Sequence, residues 1–163
     1  MSKIYVDEIA GIASADTVAI PGHVIQVISG TTSSQVENTT TSYADTGLTA
    51  SITCSSASSK VLVLVTQHTA SVRASSTYTN SKFKLLRDST SILEQAGDAP
   101  MVLVTNGTAI RWIGNLHYEH LDSPSSTSAL TYKTQVASSE SNVVTTAQYN
   151  SRPSSIMLLE IAG

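Results

Sequence analysis

The sequence predicts an all-β fold, a sandwich or barrel of antiparallel strands, and three observations lead to this prediction. About eight short apolar or alternating runs recur along the chain, separated by clusters of Ser, Gly, Asp, Asn and Pro. The best helix candidate, Ile92–Ala96, is one turn at most. Ser and Thr contribute 48 of the 163 residues and are spread through the apolar runs, as expected for sheet surfaces covered with hydroxyl groups.

The first predicted strands differ in how much of their surface they bury. Val24–Ile28 and Thr49–Thr53 are short strands. Lys60–Thr66 is a continuous run of Val and Leu, which is typical of a strand buried on both faces. Ser81–Arg87 alternates apolar and polar side chains, so it is predicted to bury one face only.

A hairpin is predicted in the second half of the chain. Pro100–Val104 and Ala109–Tyr118 flank the dipeptide Asn106-Gly107, whose two residues tolerate the positive φ of a two-residue hairpin turn. Three further strands complete the prediction: Ala129–Val136, a weakly alternating stretch at 143–149, and Ser155–Ile161. Ser/Thr-rich stretches between the strands are predicted to be loops: Thr31–Ser42, Ser55–Ser59, Ser71–Ser81 and Ser123–Ser128.

Residues 1–22 are predicted to form an extended arm, separate from the β-module of residues 23–163. The arm has too little apolar surface to fold alone and ends at Ile20-Pro21-Gly22. Such a segment needs a partner surface, and addition of a strand to an exposed sheet edge is one way to bind it. The residues predicted to be its anchors are Ile4, Tyr5, Val6 and Ile9.

The charge and composition exclude several classes of partner. The net charge is −3 with scattered Lys and Arg, so nucleic acid is not expected as the principal ligand. Lys82, Lys84 and Arg87 form a local cluster, interpreted as a solvated strand face. No apolar run reaches the roughly 18 residues that membrane insertion requires, and no signal peptide is visible. Cys54 is the only cysteine and is predicted to be a small buried side chain.

Catalytic and metal-binding chemistry finds little support in the sequence. His117 and His120 lie three residues apart on a predicted strand and therefore face opposite sides, whereas His117 and Glu119 share a face. Trp112 lies in an apolar strand and is expected to pack in the core. The Gly-rich and nucleophile-elbow motifs of nucleotide-binding and acyl-transfer enzymes are absent. The chain is accordingly predicted to be no enzyme, with no cofactor and no metal site.

An ordered set of segments resembles structural proteins of marine tailed bacteriophages, tail-fibre-like proteins in particular. The segments that carry the resemblance are Ser2–Ile9, Ile20–Val27, Tyr43–Thr53, Ser58–Val63, Leu121–Pro124, Ser128–Lys133 and Ser155–Ile161. Together they cover nearly the whole chain in order. The resemblance implies an antiparallel jelly-roll module similar to the tumour-necrosis-factor-like trimers, carried on the N-terminal arm.

The resemblance also implies a function in the virion, for a protein made in the host bacterial cytoplasm. The leading expectation is a short tail-fibre-like appendage, a homotrimer whose arm binds other virion proteins. A second expectation is recognition of host-surface glycan by the Ser/Thr-rich loops. The chain lacks the long shaft of many fibres, and the alternative is therefore a capsid decoration or cement protein on the head.

Overall fold

Ten strands and one short 3-10 helix make up the part of the chain that the computed structural model describes, residues 21–73, 80–95 and 110–163. The elements in chain order are β1 (Val24–Thr32), β2 (Val36–Asn38), β3 (Ala44–Thr53), β4 (Lys60–Arg73), β5 (Ser81–Arg87), β6 (Thr90–Gln95), β7 (Ile110–Asp122), β8 (Ala129–Ser138), β9 (Val143–Ala147), the 3-10 helix Tyr149–Ser151 and β10 (Ser154–Ile161).

The strands form two antiparallel sheets. Sheet A contains β1, β10, β4 and β7 side by side, and sheet B has the order β3, β8, β5, β6. The long strand β4 pairs along its whole length with β7 on one edge. Its other edge pairs first with β10, over residues 60–66, and then with β9, over residues 69–73. The short strand β2 extends sheet A beyond β9.

The strand pairs are nested in the manner of a jelly roll. When the short strands β2 and β9 are set aside, β1 pairs with β10, β3 with β8, β4 with β7, and β5 with β6. The first strand therefore meets the eighth, the second the seventh, and so on inward, as in a long hairpin wrapped into two facing sheets. The predicted all-β antiparallel sandwich of jelly-roll type is confirmed.

Most predicted strands are confirmed, and the differences have local causes. β3 begins at Ala44, before the predicted Thr49, because a bulge with Gly47 at φ +79° interrupts the alternation of this strand. Residues 92–95, which belong to the one-turn segment Ile92–Ala96 that was the best helix candidate, lie in β6, so the all-β prediction holds there. In contrast, β2 lies inside the stretch Thr31–Ser42 that was predicted to be entirely loop.

Several predictions lie outside the described residues. These are the arm over residues 1–20 with its anchors, the hairpin at Asn106-Gly107 with the strand before it, and residues 74–79 of the loop Ser71–Ser81. The remaining residues of that loop stretch belong partly to β4, which continues past the predicted end at Thr66 to Arg73.

The two sheets enclose a core that is apolar at one end. Its fully buried side chains come from both sheets and include Val61, Val63, Phe83, Tyr132 and Leu158. The sheets approach closely at Gly30 of β1, where an added Cβ would lie 2.0 Å from the carbonyl oxygen of Thr49. Only glycine fits there, because the neighbouring atom belongs to the backbone of β3.

Candidate assembly surface

The outer face of sheet A, the face turned away from the core, carries a continuous aliphatic strip. Val27 of β1 lies opposite Leu159 of β10, Leu159 lies opposite Leu62 of β4, and Leu62 lies opposite Leu121 of β7. Facing residues on neighbouring strands have Cβ atoms about 4.5–5.5 Å apart. Four aliphatic side chains thus form one row across the neighbouring strands β1, β10, β4 and β7.

This face becomes more polar with distance from the strip. The next two rows across β1, β10, β4 and β7 are Ser29, Met157, Leu64 and Glu119, followed by Thr31, Ser155, Thr66 and His117. An open cavity of about 330 Å³ lies over β4 and β7, and Leu64, Thr66, His117 and Glu119 are among the residues that line it. The face therefore has an aliphatic half and a polar half.

Exposed hydrophobic side chains are concentrated on sheet A. All six large hydrophobic residues that are exposed in the described part of the chain belong to its strands: Val24, Ile25, Val27, Ile113, Leu121 and Met157. Val27 and Leu121, at the two ends of the aliphatic strip, are each 53% exposed. Isolated exposed hydrophobics such as Ile113, far from the strip along β7, are ordinary, whereas the row from Val27 to Leu121 is contiguous, as expected for an interaction surface.

The outer face of sheet B has the opposite character. The hydroxyls of Ser51 and Thr131 are hydrogen-bonded at 2.9 Å. The Asp45 carboxylate accepts hydrogen bonds from Lys133 at 2.8 Å and from Gln135 at 2.6 Å. The bond from Lys133 is the main reason that the pKa of Asp45 lies below its ordinary value. A surface of hydroxyls and paired charges is compatible with water.

Hydroxyl groups lie between the sheets as well as on the sheet surfaces where they were expected. Thr46 and Thr134 are hydrogen-bonded at 2.5 Å, and Thr134 donates to the Gln67 side-chain oxygen at 2.9 Å. The Gln67 amide nitrogen in turn donates to the Ser154 hydroxyl at 2.9 Å. All four side chains are buried, so the core is apolar at one end and polar at the other.

The interpretation of Lys82, Lys84 and Arg87 as a solvated face is wrong for Arg87. Its guanidinium donates to both oxygens of Asp122, at 2.9 and 2.7 Å, and Asp122 also accepts a hydrogen bond from Tyr132 at 2.7 Å. Asp122 is buried, and burial together with this carboxylate raises the pKa of Tyr132. The sequence offered no signal for this pairing, because Asp122 is distant from Arg87 along the chain.

Glu160, another buried carboxylate, ties three elements together. It accepts hydrogen bonds from Gln26 of β1 at 2.6 Å and from the backbone and hydroxyl of Ser55, both at 2.7 Å. Burial by itself would raise the pKa of Glu160, but these hydrogen bonds favour the carboxylate and hold the pKa below its ordinary value.

The remaining candidate residues lie where the sequence placed them. His117 and Glu119 share the outer face of β7 and His120 points to the other side, as predicted from their spacing. In the described ranges, no group of three His, Cys, Asp or Glu side chains comes together to hold a metal ion. Trp112 and Cys54 are buried, as predicted.

Within the described residues, no helix has the length and apolar character needed to cross a bilayer.

Comparisons with known proteins return little. No protein-family model and no curated protein matches the sequence. Among solved structures, the chain is similar to one described as "Structure of infectious bursal disease virus Gt strain", with 14% identity and a TM-score of 0.28. The match covers all of this chain, which spans 43% of the length of that one. The fold assignment above therefore depends on the strand pairing alone.

Proposed function

We propose that the chain is a non-enzymatic structural protein of a virus particle. In this proposal the jelly-roll module assembles with copies of itself through the outer face of sheet A, as a homotrimer, and the N-terminal arm binds a larger particle through Ile4, Tyr5, Val6 and Ile9. Two parts of this proposal, that three copies assemble and that the particle is a bacteriophage, are supported by the sequence resemblance to tail-fibre-like proteins.

The observation that carries the proposal is the difference between the two outer faces. Both faces belong to the same sandwich, but one carries the aliphatic strip from Val27 to Leu121 and the other carries hydroxyls and paired charges. Fully burying an aliphatic side chain contributes about 1.5–3 kcal/mol. A face with four such side chains in one row gains stability when a neighbouring copy covers it.

The buried polar groups support a structural rather than a catalytic function. Asp122 and Glu160 each accept several hydrogen bonds, and Gln67 is bonded on both sides of its amide. These groups join strands and loops to one another. Side chains held in this way stabilise the sandwich, since each buried polar group has its hydrogen-bond partners within the fold.

A short tail-fibre-like appendage is the leading form of the proposal, and a capsid decoration protein is the alternative. The two make different predictions about particles that lack the protein. Loss of adsorption to the host, with heat and osmotic resistance unchanged, supports the appendage. Loss of heat or osmotic resistance with normal adsorption supports the decoration protein.

The proposed assembly surface is tested by adding a charge to it. Leu121→Lys places an ammonium group in the aliphatic strip, where burial against a neighbouring copy would cost several kcal/mol. The matched control is Thr53→Lys, at an exposed position on the outer face of sheet B. Native mass spectrometry is expected to find Leu121→Lys as folded monomer and Thr53→Lys as trimer. Equal assembly of the two variants would contradict the proposed surface.

A further inference from the structure

A histidine and a carboxylate lie side by side at the cavity on the polar half of the outer face of sheet A. His117 and Glu119 are two residues apart on β7, so both side chains project from the same face of the sheet. Both are exposed, and both line the open cavity of about 330 Å³. An imidazole and a carboxylate on neighbouring positions of one face are suited to bind a divalent transition-metal ion together.

A hydrogen bond across the strand pair orients this imidazole. His117 lies opposite Thr66 of β4, and its Nδ1 is hydrogen-bonded to the Thr66 hydroxyl at 3.2 Å. When Nδ1 carries the proton and donates to this oxygen, Nε2 keeps the lone pair with which a neutral histidine binds a metal ion. Metal-binding histidines almost always have the other ring nitrogen hydrogen-bonded in this way. Thr66 therefore presents Nε2 of His117 as a ligand.

The pair makes up only half of a metal site. A protein zinc site generally has three or four side-chain ligands. Among the residues that the structure describes, no third His, Cys, Asp or Glu joins His117 and Glu119 to hold an ion. A site at this place therefore needs ligands from another molecule.

The position of Glu119 indicates which molecule supplies them. Glu119 lies on β7 in the row next to the aliphatic strip, two residues from Leu121. A neighbouring copy that covers the strip also approaches Glu119. Bringing a carboxylate into an interface without a partner costs free energy, and a bound cation offsets that cost.

We propose that His117 and Glu119 form a half-site for a divalent transition-metal ion such as Zn²⁺, and that a neighbouring copy of the chain completes the site with the same side chains. This inference rests on the proposed function, because the half-sites meet only when copies assemble through the outer face of sheet A. The bound ion neutralises the Glu119 carboxylates of neighbouring copies, whose repulsion would otherwise oppose assembly. Metal binding therefore stabilises the assembled form.

Isothermal titration calorimetry with ZnCl₂ tests the two ligands in the full chain, after treatment with EDTA and removal of the chelator. His117→Gln and Glu119→Gln are each expected to weaken Zn²⁺ binding by about tenfold or more, since even the loss of a side chain that orients a ligand costs about 10–100-fold. The matched control is His120→Gln, on the same strand but on its other side, and it is expected to bind Zn²⁺ as the natural chain does. Absence of binding by the natural chain, or equal binding by the natural chain and His117→Gln, would overturn the half-site.

Completion of the site by a neighbouring copy is tested with the Leu121→Lys variant, which keeps both ligands and is expected to be monomeric. Its Zn²⁺ affinity is expected to be about tenfold or more below that of the natural chain, because it offers the half-site alone. Equal Zn²⁺ affinities of this monomer and of the natural chain would contradict completion by a second copy.

The effect on assembly is measured by sedimentation equilibrium in Zn²⁺ and in EDTA. Zn²⁺ is expected to strengthen the association of the natural chain by about tenfold or more, and to leave the association of His117→Gln unchanged. A trimer that is equally stable in Zn²⁺ and in EDTA would overturn this inference and leave the proposed function standing. A natural chain that remains monomeric in both solutions would contradict the proposed assembly as well.

Discussion

Thr134 illustrates how single residues decide the character of this core. It lies on the inner face of β8, in the same alternating set as Tyr132 and Val136, and its hydroxyl connects Thr46 to Gln67. The alternation of Ala129–Val136 was visible in the sequence. This alternation places Thr134 on the inner face of β8, whereas the expectation that hydroxyls lie on the sheet surfaces came from composition alone.

Thr134→Val is expected to destabilise the protein although it preserves the shape of the side chain. The substitution removes the Thr134 donor from the Gln67 side-chain oxygen, and it removes the bond between Thr134 and the Thr46 hydroxyl, which then keeps only the bond from the Leu48 N–H, in a buried site. The expected loss is about 1–3 kcal/mol in the free energy of unfolding, measured by urea denaturation. The control Thr131→Val, on the outer side of the same strand, is expected to change stability by about 0.5 kcal/mol or less. Equal effects of the two variants would mean that the network does not contribute.

The buried carboxylates show the limit of sequence reasoning at this scale. Periodicity assigns a residue to a face, but it does not identify the residue that approaches from another strand. Arg87 meets Asp122, and Glu160 meets Gln26 and Ser55, across long separations in the chain. These pairings follow from the nested strand order, which no local pattern contains.

At the scale of elements, the strands with strong patterns were predictable. The apolar or alternating runs of β4, β5, β8 and β10 correspond to observed strands. The strands β2 and β6 could not be predicted, because neither has a long apolar run. β2 is held by pairing with β9, which is distant in sequence, and β6 is held by pairing with β5, the strand before the tight turn. Tertiary pairing, rather than local propensity, stabilises such strands.

The run of Val and Leu in β4 is typical of a strand that is buried on both faces. Val61, Val63 and Val65 face the core, whereas Leu62 and Leu64 lie on the outer face and are only half-buried. The prediction of burial on both faces is therefore confirmed for the inner face of β4 and is wrong for its outer face, which is half-buried.

Glu160→Gln tests the connection that Glu160 makes between β10, β1 and the β3–β4 loop. The folded-state pKa of Glu160 lies below its ordinary value of 4.5. Its contribution to stability is therefore fully present above that pH and is lost as the pH falls through the folded-state pKa. The difference in unfolding free energy between the natural protein and the variant is expected to be largest near neutral pH and to shrink below pH 4.5.

The matched control for this prediction is Glu37→Gln, an exposed position on β2. It is expected to change the unfolding free energy by about 0.5 kcal/mol or less, as is usual for an exposed surface position. A Glu160→Gln variant whose stability follows that of the natural protein at every pH would contradict the role given to this carboxylate.

At the scale of the whole molecule, the sandwich has two unlike sides. The residues of the core could be assigned from alternation, whereas the aliphatic strip depends on register, because Val27, Leu62, Leu121 and Leu159 come from four separate strands. The end of sheet A that carries the strip is also the end where the chain enters β1 and leaves β10. Assembly through this side would place the entry points of all copies near one another and leave sheet B facing the solvent.

Sedimentation equilibrium of the full-length chain at micromolar concentration tests this assembly most directly. The account predicts a single species of about 51 kDa, three times the chain mass of 17.1 kDa. A stable monomer at the chain mass, with its aliphatic strip in contact with water, would contradict it.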